Sequence, residues 1–164
     1  MVPLQLPHPL LKTPCHLVST ETQGLQVFID ELLHVMDASP HCVGVAANQL
    51  GQPWRVAVIN AARLDRPGTR HGLQVLLNPY LIEQRGQTLS REGCLSVPDY
   101  TGNVLRATSV RLLAKSRAWQ DVEILAEGFE AIVLQHELDH LEGKLFLDRV
   151  ASLETDVFRR KRYL

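Results

Sequence analysis

The sequence predicts an α+β fold in which mainly antiparallel β-sheets pack around a central C-terminal helix, with a second helix near the N-terminus. Apolar residues recur at spacings of three and four over residues 21–37, and residues 128–142 form a second helical stretch that is apolar in its first half. Short runs rich in β-branched residues fill the chain between them. A length of 164 residues, with 45% hydrophobic and 21% charged residues, fits one globular domain, 1–164.

The N-terminal part combines a proline-containing irregular arm, residues 1–18, with the first predicted helix, residues 21–37. Ser19 or Thr20 can cap this helix, because a side-chain oxygen at that place accepts a bond from a free backbone N–H. The Ser39-Pro40 pair is expected to end it. One apolar stripe predicts this helix, and it consists of Leu25, Phe28, Ile29, Leu32, Leu33 and Met36.

The middle of the chain is predicted as strands. Residues 54–60 and 73–82 are β-rich runs separated by a polar loop, and residues 109–115 and 121–128 resemble a hairpin. The first half of the last helix is apolar on almost every side and has no polar face to turn towards water. We therefore expect this helix to be buried. A short basic tail over residues 152–164 is expected to lie at the surface.

Composition excludes several classes of function. The formal net charge of -1 predicts neither specific nucleic-acid binding nor attraction to acidic membranes. No apolar run approaches the roughly 20 residues that span a bilayer, and the N-terminus lacks the pattern of a signal peptide. Cys15, Cys42 and Cys94 are too few, and odd in number, for a disulfide framework. A cytoplasmic protein with reduced thiols is the prediction.

The stretch QHELDHLEGKLF contains the pattern H-E-x-x-H. His136 and His140 lie about 400° apart around a helix, so both rings project from one face and can hold one divalent ion. Glu137 lies beside that ion and can move a proton between water and a leaving amine. The alternative is a buried helix with two incidental histidines, and the pattern alone does not identify a third ligand.

Two other stretches are less specific when taken alone. Cys94, in REGCLSVP, is a candidate third ligand, although a buried free cysteine is the commoner explanation. Gly93 beside it permits close approach to a neighbouring backbone. Gln49, in CVGVAANQLG, offers an amide that both donates and accepts, although an ordinary strand and turn is the favoured explanation for this stretch alone.

Taken together and in this order, GVAANQ, EGCLS and QHELDH resemble the motifs of the peptide deformylases, over nearly the whole chain. The resemblance implies a hydrolase that removes the N-formyl group from the N-terminal methionine of newly made polypeptides and releases formate. It implies one divalent ion per chain, Fe²⁺ or Zn²⁺, and formylated nascent polypeptides as partners. The implied roles are metal ligation by Cys94, His136 and His140, acid–base catalysis by Glu137, oxyanion binding by Gln49 and the Leu95 N–H, and substrate-backbone contact at Gly44.

The methionine side chain of such a substrate needs an apolar pocket near the metal. Phe129, Ile132 and Val133 precede His136 by seven, four and three residues, on the same side of the helix. We therefore predict that they form one wall, with Val43 opposite, while plain core packing remains the alternative. The predicted substrate-binding residues are thus Val43, Gly44, Gly93, Phe129, Ile132 and Val133.

The sequence departs from the family pattern at two places. Cys42 stands where the family usually has glycine, and no basic residue follows Pro98 until Arg106. These departures favour, as an alternative, a deformylase-like protein with altered substrate preference; a metalloprotease is disfavoured because no third ligand follows His140 on the helix. Arg106 is expected to form either a buried pair with Glu92 or Asp139, or a surface ion pair. The basic tail suggests either a transient ribosome contact or a solvated chain end.

Overall fold

The computed structural model describes residues 1–161, which contain two α-helices and two antiparallel sheets. The five-stranded sheet has the order β1-β2-β3-β6-β7, and the three-stranded sheet has the order β4-β5-β8. This confirms the predicted α+β fold class. The helices are α1 (Leu25–Ala38) and α2 (Phe129–Leu141). The strands are β1 (Gly44–Ala46), β2 (Val56–Ile59), β3 (Gln74–Arg85), β4 (Thr88–Cys94), β5 (Val97–Arg106), β6 (Ser109–Lys115), β7 (Asp121–Glu127) and β8 (Val157–Arg159).

The five-stranded sheet carries apolar side chains on both faces, and β2 shows why. Successive side chains of a strand point to opposite faces. Val56 and Val58 therefore join the core that contains α1, while Ala57 and Ile59 join the core that contains α2. All four residues are buried, so the two helices cover the sheet from opposite sides. The burial of α2 predicted from its sequence follows from this position.

The first helix begins later than its sequence pattern predicts. It starts at Leu25 rather than at residue 21, because Gly24 takes the left-handed conformation with φ of 76°. Ser19 and Thr22 instead close a turn ahead of the helix, in which the Ser19 N–H donates to Thr22 Oγ1 at 2.9 Å. The predicted N-cap role of Ser19 or Thr20 is therefore wrong.

Within residues 1–161, both terminal segments contain more regular structure than the sequence predicts. The arm includes a short 3-10 helix, Pro9–Lys12, whose Leu11 is completely buried. The tail contributes β8, which pairs with β5. The last three residues of the predicted tail, 162–164, lie outside the described residues. Within residues 1–161, neither helix has the length and apolar character needed to traverse a bilayer.

Candidate metal centre and adjoining cavity

Helix α2 presents its least buried face to a cavity. Phe129, Ile132 and His136 are half-buried, whereas their neighbours on the helix are almost all buried. Their spacing of three and four residues places them on one stripe. The stripe borders a cavity of about 300 Å³ between the edges of the two sheets. The helix therefore offers apolar side chains and one imidazole to the same space.

Three donor atoms meet at the inner end of this cavity. Atoms of Cys94, His136 and His140 all lie within 4.8 Å of one another, and Cys94 Sγ is 3.2 Å from His140 Nε2. Strand β4 delivers the thiol and α2 delivers both imidazoles. One sulfur and two nitrogen donors with an open side suit a catalytic zinc or ferrous ion. These residues therefore fit a divalent metal.

The electrostatics of the cluster also suit metal binding. Burial alone would raise the pKa of the Cys94 thiol, but the charge of His140 and hydrogen bonds from both imidazoles hold that pKa well below its usual value. A thiol with this property is readily present as thiolate, the form that binds metals. His136 Nδ1 lies 2.8 Å from Glu92 Oε1, so this nitrogen donates and Nε2 is left for an ion.

A buried ion pair network supports His136 from behind. Arg106 Nε donates to Glu92 Oε2 at 2.7 Å, and Arg106 Nη1 donates to Asp139 Oδ2 at 2.6 Å. The Arg106 side chain is only 4% exposed, so the prediction of a buried pair is confirmed and the surface pair is wrong. Burial opposes ionisation of Glu92, yet the bonds from Arg106 and His136 lower its pKa to about 2. Glu92 is therefore a fixed negative charge that orients the imidazole.

Glu137 is placed between the metal cluster and β1. Its side chain is buried, and Oε2 has no hydrogen-bond partner within residues 1–161. Burial raises the pKa of this carboxyl group. A Cβ atom at Gly44 would lie 2.5 Å from Glu137 Oε1, so the strand and the carboxylate approach as closely as only glycine permits. The unpartnered oxygen is available for proton transfer.

Gln49 is held by its own short 3-10 helix, Ala47–Leu50. Its Oε1 accepts a bond from the Ala46 N–H at 2.9 Å, which fixes the orientation of the amide. Its Nε2 donates to Ser96 Oγ at 3.0 Å and lies 3.5 Å from Cys94 Sγ. The Nε2 hydrogen that points towards Cys94 makes only the long contact with Sγ. It can therefore donate to a negative charge that develops beside the cluster.

The structure brings together the site residues predicted from the sequence. His140 belongs to the metal cluster without lining the cavity, and all the other predicted site residues line the cavity. Leu95 occupies the turn between β4 and β5, next to Cys94. The predicted residues that line the cavity are Val43, Gly44, Gln49, Gly93, Cys94, Leu95, Phe129, Ile132, Val133, His136 and Glu137.

Sequence reasoning missed several residues of the cavity. Leu64 and Arg66 come from the polar loop after β2, and the Arg66 guanidinium lies 5.2 Å from the centre of the Phe129 ring. Arg91 and Arg160 also line the cavity. No local pattern marks them, because Arg66 lies in an ordinary polar loop and Arg160 belongs to a basic run that is equally typical of a solvated end.

Comparison with known proteins agrees with this geometry. The family model for polypeptide deformylase matches residues 4–156. A peptide deformylase of Syntrophobacter fumaroxidans is 39% identical over 94% of this chain and 89% of its own length. The crystal structure of a peptide deformylase from Legionella pneumophila superposes with a TM-score of 0.82 at 36% identity, over 93% of this chain and 86% of that one.

A third likeness is to a class I type b peptide deformylase from Acinetobacter baumannii, described as bound to Met-Ala-Ser. It is 30% identical with a TM-score of 0.80, over 90% of this chain and 96% of that one. The family model, the relatives and the shared fold all cover nearly the full described length. The chain belongs to the peptide deformylase family.

Proposed function

We propose that this protein hydrolyses the N-formyl group of formyl-methionyl polypeptides, releasing formate and a free amino terminus. The observation that carries the proposal is the cluster of Cys94, His136 and His140 at the end of a cavity that also contains the Glu137 carboxylate. A divalent ion held there would act as a Lewis acid that polarises a carbonyl and makes water more acidic. We propose Fe²⁺ as this ion, with Zn²⁺ as the alternative that the same donors accept.

The cavity suits an extended peptide. It lies between β1 and β4, each of which is the edge strand of its sheet in the described part of the chain. Unpaired edges bind peptides by adding a strand, so the backbone at Gly44 and Gly93 can hold the substrate main chain. The relative described with Met-Ala-Ser supports such a ligand. Phe129, Ile132 and Val133 would then enclose the methionine side chain.

The proposed roles in the reaction follow from the contacts. Gln49 Nε2 and the Leu95 N–H donate to the negative charge that develops on the formyl oxygen. Glu137 accepts a proton from the attacking water and transfers it to the amine nitrogen as the C–N bond breaks. Burial raises the pKa of this carboxyl group, which favours a residue that must give a proton back as well as take one.

The test is formate release from formyl-Met-Ala-Ser by the protein purified and loaded with iron or zinc under anaerobic conditions. We expect Glu137→Gln to keep the metal and to lower kcat by about 10²- to 10⁴-fold. Glu142→Gln is the matched control, because Glu142 is exposed and pairs with Arg55 away from the cavity. Metal-loaded protein that releases no formate would end the proposal, and metal analysis of the same sample identifies the ion.

One observation favours altered substrate preference as a second candidate. Cys42 lines the cavity, and its Sγ–H donates to the Gly44 carbonyl oxygen at 3.2 Å, on the strand that would bind the peptide. If that carbonyl is needed by the substrate, formyl-methionine peptides will be poor substrates. Ordinary kcat/KM on a formyl-methionine tripeptide would rule this candidate out.

The partner and the setting are also proposals. Newly made formylated chains are the substrate, so we expect activity in the cytoplasm, where the free thiols of Cys15, Cys42 and Cys94 remain reduced. A transient ribosome contact through the basic tail stays a prediction. Co-sedimentation with ribosomes, with and without residues 159–164, tests it, and equal amounts in the pellet would contradict it.

A further inference from the structure

The residue that follows strand β8, Arg160, carries a positively charged side chain into the cavity. The strand pairs with β5, and the pairing continues where the Arg160 N–H donates to the Asp99 carbonyl oxygen at 2.8 Å. The side chain then reaches across to β4, where a Cβ atom at Gly93 would lie only 2.4 Å from Arg160 Nη2. Glycine at this position leaves the space that the guanidinium occupies. Arg160 thus lines the cavity beside Gly93, the residue that directly precedes Cys94.

The Arg160 guanidinium has no partner in the part of the chain described. Its Nε and Nη2 atoms are buried and make no hydrogen bond within residues 1–161, and it forms no ion pair there. Its neighbour Arg91 differs, because Arg91 Nε donates to Asn103 Oδ1 at 2.8 Å and the guanidinium stacks 3.8 Å from the Phe158 ring. Buried donors without acceptors cost free energy, so an anion that binds Arg160 removes that cost.

No carboxylate of the cavity is positioned to meet this need. Glu92 is bonded to Arg106 and His136, and Glu137 lies against Gly44 on the β1 side. No acceptor among residues 1–161 therefore satisfies Arg160, and an anionic ligand can supply one. Since the substrate is a peptide, its available anionic group is a carboxylate, which a guanidinium binds with two parallel hydrogen bonds.

We propose that Arg160 binds a carboxylate on the second or third residue of the formylated peptide and so gives the enzyme a preference for acidic substrates. This inference rests on the proposed function. The reacting amide lies at the metal cluster, and Gly93 is one residue from Cys94 along β4. A strand advances about 3.3 Å per residue, so a peptide beside β4 brings its second or third residue to Arg160. The carboxylate comes from an Asp or Glu side chain or from the C-terminus of a short peptide.

The experiment compares kcat/KM for four formylated peptides that differ only in carboxylates. They are formyl-Met-Ala-Ser as the free acid and as the amide, and the amides of formyl-Met-Asp-Ser and formyl-Met-Ala-Asp. We expect at least one carboxylate-bearing peptide to exceed the neutral amide by about tenfold, as charge-assisted hydrogen bonds allow. A gain for the free acid alone identifies the C-terminus, and a gain for an aspartyl peptide identifies the side chain and its position.

Substitutions distinguish a specific contact of Arg160 with the substrate from a general effect of positive charge near the cavity. Arg160→Gln should reduce the ratio of acidic to neutral kcat/KM to about one. Arg159→Gln is the matched control, since it removes the same charge from the neighbouring exposed position and should keep the ratio. Arg160→Lys restores part of the preference if charge at this place is what matters. A ratio that Arg160→Gln leaves unchanged, or that Arg159→Gln lowers equally, would overturn the inference.

The neutral amide separates the two proposals. Turnover of this peptide supports the proposed function whatever the ratio, so a flat ratio then refutes the Arg160 role alone. If no formylated peptide is hydrolysed, the proposed function fails. Calorimetric binding of Met-Ala-Ser as acid and as amide then decides the inference, with tighter binding of the acid expected only while Arg160 is present.

Discussion

The pair formed by Arg106 and Glu92 gives the sharpest test of how the metal centre is supported. In Arg106→Met, a side chain of similar length fills the space, but Glu92 loses the two buried donors that now fix it, Nε at 2.7 Å and Nη2 at 2.9 Å. Removing one partner of a buried pair costs about 3–5 kcal/mol. In this variant Asp139 still accepts a hydrogen bond from Arg149, and Glu92 still accepts one from His136. We therefore expect a loss at the lower end of that range, about 3 kcal/mol.

For a domain of this length, 3 kcal/mol corresponds to a fall in Tm of roughly 6–12 °C. Urea unfolding at a fixed excess of metal, followed by tryptophan fluorescence, gives the free energy of unfolding directly. The affinity for the metal should also fall by about 10- to 100-fold, because the imidazole loses its oriented acceptor. Arg149→Met is the control; its side chain is 44% exposed, so a loss of less than about 1 kcal/mol is expected.

A second substitution tests whether the lone charge is the cause. In the Arg106→Met background, Glu92→Gln removes the unpaired charge and should recover about 1 kcal/mol or more. The reasoning is refuted if Arg106→Met costs less than about 1 kcal/mol, or if the double variant is less stable than the single one.

Other outcomes follow from the same site. Gly44→Ala should lower kcat/KM at least about tenfold by displacing Glu137, with the fold retained by circular dichroism, and unchanged kinetics would contradict the close approach. Cys42→Ala should cost about 1 kcal/mol in urea unfolding, because this thiol is 6% exposed and packs in the core. After metal removal, iodoacetamide at about pH 7.5 should label Cys94 first by mass spectrometry, and restored metal should protect it. Burial raises the pKa of Cys15 to about 11 and that of Cys42 to about 12, so labelling of these thiols ahead of Cys94 would count against the assignment.

The relative positions of the two imidazoles and the neighbouring carboxylate could be predicted because their spacing is local. His136, Glu137 and His140 lie within two turns of one helix, so the period of the helix alone decides which face each occupies. Cys94 could not be predicted in this way, because a single cysteine gives no spacing pattern. Its neighbours in the EGCLS motif and the order of the three motifs identified it as a candidate ligand. The fold class followed from alternating apolar runs in the same way.

The rest of the cavity depends on contacts between distant segments. Arg160 reaches Gly93 only because β8 pairs with β5, and neither strand length nor composition indicates that pairing. The prediction of where α1 starts was wrong for a local reason. The sequence around residue 19 favours an N-cap, but the left-handed conformation of Gly24 delays the start of the helix to Leu25. Tertiary pairing and a single backbone angle therefore set the limits of the sequence prediction.

The alternation of side chains along β4 limits where codons can be inserted into or deleted from the gene. Glu92 and Cys94 are both buried and lie two residues apart, so one side of the strand carries the ligand and the brace for another ligand. Adding or deleting one codon in β4 ahead of Glu92 would turn both side chains to the opposite side, and a change between the two residues would separate them onto opposite sides. A codon added in the turn at Gly86, between β3 and β4, leaves that alternation intact. We expect length variation among viable descendants to collect in this turn and to be absent from β4.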